Sequence, residues 1–362
     1  MRYSIERSID FRAAPARTTA AVFRLRGLAA REFVLPDRRI NRTRSASALI
    51  ILAIAAFCAI CPAKAAPLDE PIAPLPRALN VDPARVSIGH RLFFDVRLSA
   101  NARVSCSSCH DIAKGGSDGR RRSIGFRGEA TSANAPTVFN AALNFKQFWN
   151  GKADSLEQQI DIVIQSPVEM GSKWTNVVAM AARDPAYHAA FASAYPDGVT
   201  KANIQNALAS FERTLLTRDS SFDRYLRGDL NALSTEEKEG YGLFKQYGCV
   251  SCHQGVNIGG NMFQKFGVMA DYFAQRRDVT ASDLGRYLVT GAEDDRHVFK
   301  VPSLRNVALT APYFHDGSAV TLEAAVDVMF RYQLGRISSK RDTAAIVAFL
   351  KTLTGKIDPR WR

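Results

Sequence analysis

The chain has 362 residues, a formal net charge of +13 and six cysteines. Residues 1–65 carry twelve basic and four acidic side chains, so the rest of the chain keeps only +5 of that charge. Most of the net positive charge therefore lies at the beginning of the chain. The charge gives no evidence for nucleic-acid binding, and we exclude that function.

The first 65 residues have the pattern of an export leader. Eleven arginines precede an apolar run at 48–60, and Pro62-Ala63-Lys64-Ala65 offers small residues for a cleavage site. The run is shorter than the roughly 20 residues that cross a bilayer, which favours a signal peptide over an anchor. We therefore predict a leader over 1–65, which would remove Cys58 and Cys61, and a periplasmic protein.

The first chemical motif is the pentapeptide Cys-x-x-Cys-His, formed by Cys106, Cys109 and His110. Two thiols at this spacing can form thioethers with the two vinyl groups of one porphyrin, and the adjoining imidazole then binds the iron. One copy could also be a redox dithiol, so a single motif does not decide between the two.

Five segments carry apolar residues at three- and four-residue steps, the pattern of amphipathic helices. These predicted helices are Ser155–Ile164, Lys201–Leu216, Thr235–Tyr247, Thr321–Phe330 and Ser339–Leu353. Ser155, Thr235 and Thr321 stand where helix N-caps are expected. Strand alternation is scarce, so the sequence predicts an all-α fold with long loops.

The same pentapeptide occurs again at Cys249, Cys252 and His253, 143 residues after the first copy. A zinc site built from four cysteines and a thioredoxin-like dithiol are the alternatives. Neither explains why each motif ends in His, and no βαβ pattern surrounds either copy. Two complete copies predict two covalently bound haem c groups.

The sequence around the two motifs repeats itself. The matched segments are 89–93 with 240–244, 135–142 with 301–308, and 149–151 with 315–317. Their order is the same in both copies, while the loops between them differ in length. We predict two tandem cytochrome c-like haem domains, at 66–233 and 234–362, each with a haem at its core.

From about Val86 to Leu353 the sequence resembles the bacterial dihaem cytochrome c peroxidases. The stretches that carry the resemblance are 92–95, the two haem motifs, 134–137, 147–151, 167–171 and 309–317. The resemblance implies reduction of hydrogen peroxide to water with electrons from a small cytochrome c or a cupredoxin. It also implies a homodimer.

The resemblance implies a methionine ligand for the C-terminal haem. In the family this Met lies fourteen residues after the His of a Phe-His-Asp-Gly segment, and Met329 stands at that distance from His315. A thioether favours ferrous iron, which suits a haem that accepts electrons. Core filling on a helix is the other explanation for Met329. The implied iron ligands are His110, His253 and Met329.

The N-terminal haem corresponds to the family's peroxidatic centre. Glu169 matches the distal acid–base residue, which takes a proton from one peroxide oxygen and returns it to the other. Gln159 matches a second polar residue of the distal pocket, and Trp149 matches the aromatic residue between the haems. From the residues alone, Glu169 could be a solvated loop carboxylate and Trp149 a packing residue.

One position departs from the family pattern. Most members have a His sixteen residues after the His of the first motif, and it binds the peroxidatic iron until an electron reaches the other haem. Phe126 occupies that position here. Because phenylalanine has no lone pair for iron, we predict an enzyme that is active without reductive activation.

The family also holds one calcium ion between its domains, through an Asn side chain and two backbone carbonyls. Asn134, Thr310 and Pro312 occupy the matching positions. Oxygen ligands of this kind suit a hard cation, while ordinary loop hydrogen bonding is the alternative. The resemblance thus implies one calcium ion.

Two other functions stay open beside the peroxidase. A dihaem oxidase of a protein substrate, like the enzyme that matures methylamine dehydrogenase, also has an open haem, but it uses Tyr where Met329 stands here. A non-enzymatic dihaem electron carrier would need two six-coordinate haems, which Phe126 and Glu169 disfavour. The peroxidase is the function that the sequence favours.

Overall fold

The computed structural model describes residues 70–274, 276 and 278–361. The predicted leader at 1–65, with Cys58 and Cys61, lies outside these residues. Among the described residues, no helix has the length and apolar character needed to cross a membrane. This part of the chain is mostly helical, as predicted, but it also contains one pair of short strands that the sequence did not predict.

The elements follow one another along the described chain. The α-helices are α1 (Pro83–Phe93), α2 (Cys106–Cys109), α3 (Leu156–Gln165), α4 (Trp174–Arg183), α5 (Pro185–Ala194), α6 (Lys201–Glu212), α7 (Ser221–Leu226), α8 (Thr235–Gln246), α9 (Tyr287–Thr290), α10 (Leu322–Val328) and α11 (Lys340–Lys351). A π-helical segment, Met329–Gln333, directly follows α10. Strands β1 (Phe263–Lys265) and β2 (Val298–Lys300) pair antiparallel, with Phe263 opposite Lys300.

Helix starts follow local side-chain chemistry. The hydroxyls of Ser155 and Thr321 each accept a 3.1 Å hydrogen bond from a backbone N–H in the first turn of α3 and α10, as predicted. The predicted cap at Thr235 is wrong, because Ser234 is the N-cap of α8. Ser234 and Glu237 each accept a hydrogen bond from the other's backbone N–H, which satisfies two N-terminal donors at once.

Two helix pairs cross at glycine. A Cβ added to Gly89 of α1 would lie 1.9 Å from the carbonyl oxygen of Ala207 in α6. A Cβ added to Gly240 of α8 would lie 1.9 Å from the carbonyl oxygen of Ala345 in α11. Only a residue without a side chain permits this approach, so both pairs pack backbone against backbone. The repeated segments at 89–93 and 240–244 thus form the same helix crossing twice.

Each helix pair lies in its own apolar core. The first core gathers α1 and α3 to α6, and the second gathers α7, α8, α10 and α11. A smaller cluster of Phe266, Phe273 and Phe299 packs against Trp149 and Met329. The predicted domain boundary between residues 233 and 234 stays a prediction.

The two repeats meet through a matched pair of backbone hydrogen bonds. The Asn134 N–H donates to the His315 carbonyl at 2.8 Å, and the Lys300 N–H donates to the Trp149 carbonyl at 2.7 Å. In the repeat alignment Asn134 corresponds to Lys300, and Trp149 corresponds to His315. The contact is therefore the same in both directions, as in a two-fold arrangement.

Candidate functional site

The first Cys-x-x-Cys-His motif consists of α2 and the residue that follows it. Cys106 and Cys109 form no disulfide bond with a described residue, and burial raises the pKa of both thiols. The Nδ1 of His110 lies 3.2 Å from the Gly116 carbonyl oxygen, and burial lowers the pKa of the imidazole. A neutral ring that donates from Nδ1 keeps a free electron pair on Nε2, which is the form that binds a metal.

The second motif has the same chemistry and borders a cavity of about 500 Å³. The Nδ1 of His253 lies 3.4 Å from the Ile258 carbonyl oxygen, and burial lowers the pKa of this imidazole to about 4. Burial also raises the pKa of the Cys249 thiol to about 11. Cys249, Cys252 and His253 all line the cavity.

Met329 lines the same cavity as His253. It is the first residue of the π-helical segment after α10. A π turn widens a helix locally and is found frequently at functional sites. The structure thus brings together two side chains that the sequence assigns to one iron. Their role as ligands stays a prediction.

The cavity has the composition that a haem group requires. Its other lining residues are mostly apolar or aromatic, among them Phe244, Phe330, Val326 and Leu350. Haem c is a flat, largely apolar group, and proteins hold it by two thiols that form thioethers and by side chains such as imidazole and thioether that bind the iron. We conclude that the residues present fit haem c.

Trp149 also lines this cavity, and two contacts orient its indole. Its Nε1–H donates to the Asn134 carbonyl at 2.9 Å. Its ring meets the His315 ring edge to face, with 6.4 Å between the ring centroids. The predicted bridging residue therefore stands where the two repeats meet.

Glu169 lies in the turn after α3, close to the first motif. Burial raises its pKa above the ordinary value, although a hydrogen bond with Ser166 and the charge of Lys152 oppose the shift. After burial, the charge of Glu169 is among the causes that raise the pKa of Cys109. Neither Glu169 nor Gln159, which is half-buried on α3, is among the described residues that line the 500 Å³ cavity. Glu169 therefore lies near the first motif, while its role as the acid–base residue stays a prediction.

Phe126 is tied to the turn that carries Glu169. Its backbone N–H donates to the Glu169 carbonyl at 2.9 Å. Its ring lies against Gly171, where an added Cβ would be 2.2 Å from the ring carbon Cε1. The position that the resemblance assigns to a displaceable His is therefore beside the predicted acid–base residue.

The three residues that hold the predicted calcium ligands all line the cavity. Asn134 donates from its side-chain nitrogen to the Arg120 carbonyl at 2.9 Å, which leaves its side-chain oxygen for another partner. That oxygen and the backbone oxygens of Thr310 and Pro312 accept no hydrogen bond from the described residues. Such a set of oxygens fits a hard cation. The calcium ion itself stays a prediction.

A buried charge network next to Trp149 was not predicted. His315 Nε2 and Asp283 Oδ1 are 2.6 Å apart, and Arg276 pairs with Asp316 at 2.6 Å. Burial alone would raise the pKa of Asp283, but hydrogen bonds from His315 and Thr280 outweigh it and hold the pKa well below its ordinary value. Although Asp283, His315 and Asp316 lie close enough to hold a metal ion, they are already paired with one another or with Arg276. Two members of this network, His315 and Asp316, lie in the Phe-His-Asp-Gly segment from which the sequence locates Met329.

Comparison with known proteins gives consistent matches over most of the chain. Residues 83–231 match the family described as di-haem cytochrome c peroxidase. Cytochrome c551 peroxidase of Nitrosomonas europaea is 45% identical over 317 residues, which cover 87% of this chain and 92% of that protein. Cytochrome c peroxidase Ccp of Escherichia coli (strain K12) is 46% identical over 292 residues, which cover 80% of this chain but only 62% of that longer protein.

A solved structure has the same overall fold. It is the crystal structure of a MauG-like protein associated with microbial copper homeostasis, with a TM-score of 0.72 and 30% identity. The match covers 82% of this chain and 98% of that one. The sequence comparison and the fold comparison therefore both match this chain to proteins of the dihaem peroxidase and MauG-like type.

Proposed function

The chain belongs to the di-haem cytochrome c peroxidase family, and from that membership we propose that it reduces hydrogen peroxide to water. One peroxide molecule, two electrons and two protons give two molecules of water. When bound, the two haem c groups supply the redox chemistry. The residues that would hold the peroxidatic haem are Cys106, Cys109 and His110, and those for the electron-accepting haem are Cys249, Cys252, His253 and Met329.

The observation that carries the proposal is the different surroundings of the two motifs. His253 and Met329 line one cavity, so both side chains would hold the iron of one haem, which supports an electron-transfer role. Near the first motif stand a carboxyl group, Glu169, and a phenyl ring, Phe126, neither of which is a usual haem ligand. A dihaem peroxidase needs one haem site that accepts electrons and a second site that binds and reduces the substrate.

The proton chemistry falls to Glu169. Because burial raises its pKa, this carboxyl binds a proton more readily than an exposed glutamate, which supports a role in taking a proton from one peroxide oxygen and giving it to the other. Gln159 would orient peroxide by hydrogen bonding. The indole of Trp149, held by Asn134 at the contact between the repeats, would carry electrons between the two sites.

The proposal includes the setting in which the protein works. The leader pattern and the attachment of haem c after export support the periplasm. The family resemblance supports a small cytochrome c or a cupredoxin as donor, a homodimer, and two tandem haem domains. The three oxygens of Asn134, Thr310 and Pro312 without hydrogen-bond donors among the described residues support one calcium ion.

The test begins with the haem content and then measures turnover. Intact mass and haem-stained denaturing electrophoresis should show two covalent haems. Peroxide added with reduced monohaem cytochrome c, or with a reduced cupredoxin, should oxidise two donor molecules per peroxide. A mass with one haem or none would refute the proposal, and so would two haems without donor oxidation by any donor of either class.

A dihaem oxidase of a protein substrate is the second candidate, because Phe126 leaves the first haem without a histidine ligand from this loop. Met329 argues against it, since that type of enzyme uses Tyr at this position. Catalytic oxidation of a small donor separates the two functions, because only the peroxidase requires it. A resting spectrum with two low-spin haems would instead favour an electron carrier.

A further inference from the structure

Lys300 is a buried residue whose ammonium has no partner among the described residues. It is the last residue of β2 and only 7% exposed. Burial lowers its pKa to about 8, with no neighbouring charge among the causes. Within residues 70–361 as described, its ammonium forms no hydrogen bond and has no carboxylate oxygen within 4.0 Å. A buried lysine without a partner is rare, because the desolvation of its charge is costly.

Another buried cation in the same protein shows the usual arrangement. The side chain of Arg305 is fully buried, and its guanidinium lies 3.0 Å from the carboxylate of Asp223. The carboxylates of Asp283 and Asp316, in the charge network next to Trp149, are engaged by His315 and Arg276. The described protein therefore supplies a counter-charge to Arg305 but none to Lys300.

Lys300 lines the same 500 Å³ cavity as His253 and Met329. Its backbone is fixed from two sides. It pairs with Phe263 across the strand pair, and its N–H donates to the Trp149 carbonyl at 2.7 Å. The position of the residue at the cavity is thus set by the strand pair and by the hydrogen bond to Trp149.

We infer that the Lys300 ammonium binds a propionate carboxylate of the haem held by the second motif. This inference rests on the proposed function, because it requires haem in that cavity. Haem c uses its vinyl groups for the thioethers and keeps its propionates as its only anionic side groups. An ion pair with one of them supplies the counter-charge that the described residues do not provide at this point.

A positive charge at this place has a consequence for electron entry. Ferric haem carries one more positive charge than ferrous haem, so a nearby buried cation disfavours the ferric form. Lys300 therefore acts together with the thioether of Met329 to keep this haem reducible. It is a positioning and tuning residue rather than a catalytic one.

The experiment is a spectroelectrochemical titration of both haems in the full-length holoprotein. Lys300→Met keeps the length of the side chain and removes the charge, and Lys300→Arg keeps the charge. In Lys300→Met we expect the ferrous-to-ferric ratio of the second haem at a fixed potential to fall at least about tenfold, which is 59 mV for a one-electron couple. Lys300→Arg should restore most of this loss. The first haem, titrated in the same sample, should not move.

The matched control is Lys265→Met. Lys265 is an exposed residue of β1 that also borders the cavity, so the same charge is removed where water screens it. Its effect should be clearly smaller than that of Lys300→Met. Equal shifts in the two variants would show a general charge effect and overturn the inference.

Two further outcomes bear on the inference. The titrations are repeated with phosphate, with chloride and with neither, and a Lys300→Met effect that depends on the added anion would assign Lys300 to a free anion instead. Normal haem content and peroxide turnover in Lys300→Met, with an unchanged second haem, would overturn the inference alone. A wild-type protein without haem at Cys249 and Cys252 would overturn it together with the proposed function.

Discussion

The substitution Glu169→Gln distinguishes a role in proton transfer from a purely structural role, because it replaces one carboxylate oxygen by an amide nitrogen and keeps the shape of the side chain. We expect Glu169→Gln to lower peroxide turnover by roughly 10²- to 10⁴-fold, the usual loss when a general acid–base is removed. Because burial raises the pKa of Glu169, wild-type turnover should fall as the pH drops through that raised value, where the basic form is lost. Steady-state rates across a pH series measure both effects. Glu129→Gln, at an exposed site in the neighbouring loop, should change neither.

At Phe126 a substitution can introduce reductive gating instead of removing an activity. The oxidised wild type should react with peroxide at once, because no imidazole has to leave the iron. Phe126→His should give a low-spin first haem at rest and a lag that a reductant abolishes. Stopped-flow mixing of oxidised protein with peroxide measures the lag. A wild type that is inert until one electron is added would show that the gate lies elsewhere in the loop.

Met329→Leu removes the thioether while keeping an apolar side chain of similar size. We expect the second haem to change its coordination and to lose reduction potential, since the thioether favours ferrous iron. Met170→Leu, at a buried position outside the 500 Å³ cavity, is the matched control. A redox titration of Met329→Leu that coincides with the wild type would mean that Met329 only fills the core.

The residues of the site divide into those that a motif reveals and those that only the fold brings together. The two Cys-x-x-Cys-His motifs carry their chemistry in consecutive residues, so the sequence was sufficient to predict them. Lys300 and Asp283 have no local signal, because the lack of a partner for one and the His315 contact of the other depend on distant parts of the chain. Glu169 lies between these cases, since its raised pKa results from burial that its position in the sequence does not reveal.

At the scale of elements, the crossing of α8 and α11 gives a prediction with an internal control. Gly240→Ala would place a Cβ 1.9 Å from the Ala345 carbonyl oxygen, and we expect a loss of about 1–3 kcal/mol in the free energy of unfolding through overpacking. Gly242 lies on the same helix with no described atom within 4 Å of an added Cβ. Gly242→Ala should therefore stabilise by about 0.5–1 kcal/mol, as expected for Gly to Ala inside a helix. Urea unfolding of both variants decides, and equal effects would contradict close packing at Gly240.

The predicted helices were correct where an amphipathic pattern decides the structure, and they were wrong where tertiary partners do. The predicted helix Lys201–Leu216 ends at Glu212, because the chain beyond it turns and its Leu215 carbonyl accepts a hydrogen bond from the Asn140 N–H. The predicted helix Thr321–Phe330 changes to π geometry at Met329.

Helix α1 was not predicted, although Asp82 caps it and a proline follows at its first position. The family and the mostly helical fold are confirmed, whereas the site residues, the domain boundaries and calcium stay predictions.

At the scale of the whole molecule, Glu212 should make stability depend on pH. Burial raises its pKa to about 8, so the folded protein holds this proton more tightly than the unfolded chain does. The contribution of Glu212 to the free energy of unfolding is therefore largest below the ordinary value of 4.5 and is lost as the pH rises to about 8. Within this window each pH unit costs roughly 1.4 kcal/mol.

Glu212→Gln cannot ionise, so its stability should decrease less between pH values of about 5 and 8 than that of the wild type. Urea unfolding at both pH values measures the difference. Glu236→Gln, at an exposed position of α8, should follow the wild type. If Glu212→Gln also followed the wild type, the Glu212 carboxyl would ionise normally in the folded protein.

The matched hydrogen bonds from Asn134 to His315 and from Lys300 to Trp149 bear on the ancestry of the molecule. A contact that is the same in both directions is what two identical subunits form around a two-fold axis. Duplication and fusion of one gene would preserve that contact while allowing each half to mutate alone. The Trp149 indole now faces the His315 imidazole, and the Asn134 amide corresponds to the Lys300 ammonium. A pair of identical subunits has no preferred direction for electron flow, whereas the fused chain acquires one as soon as its halves differ.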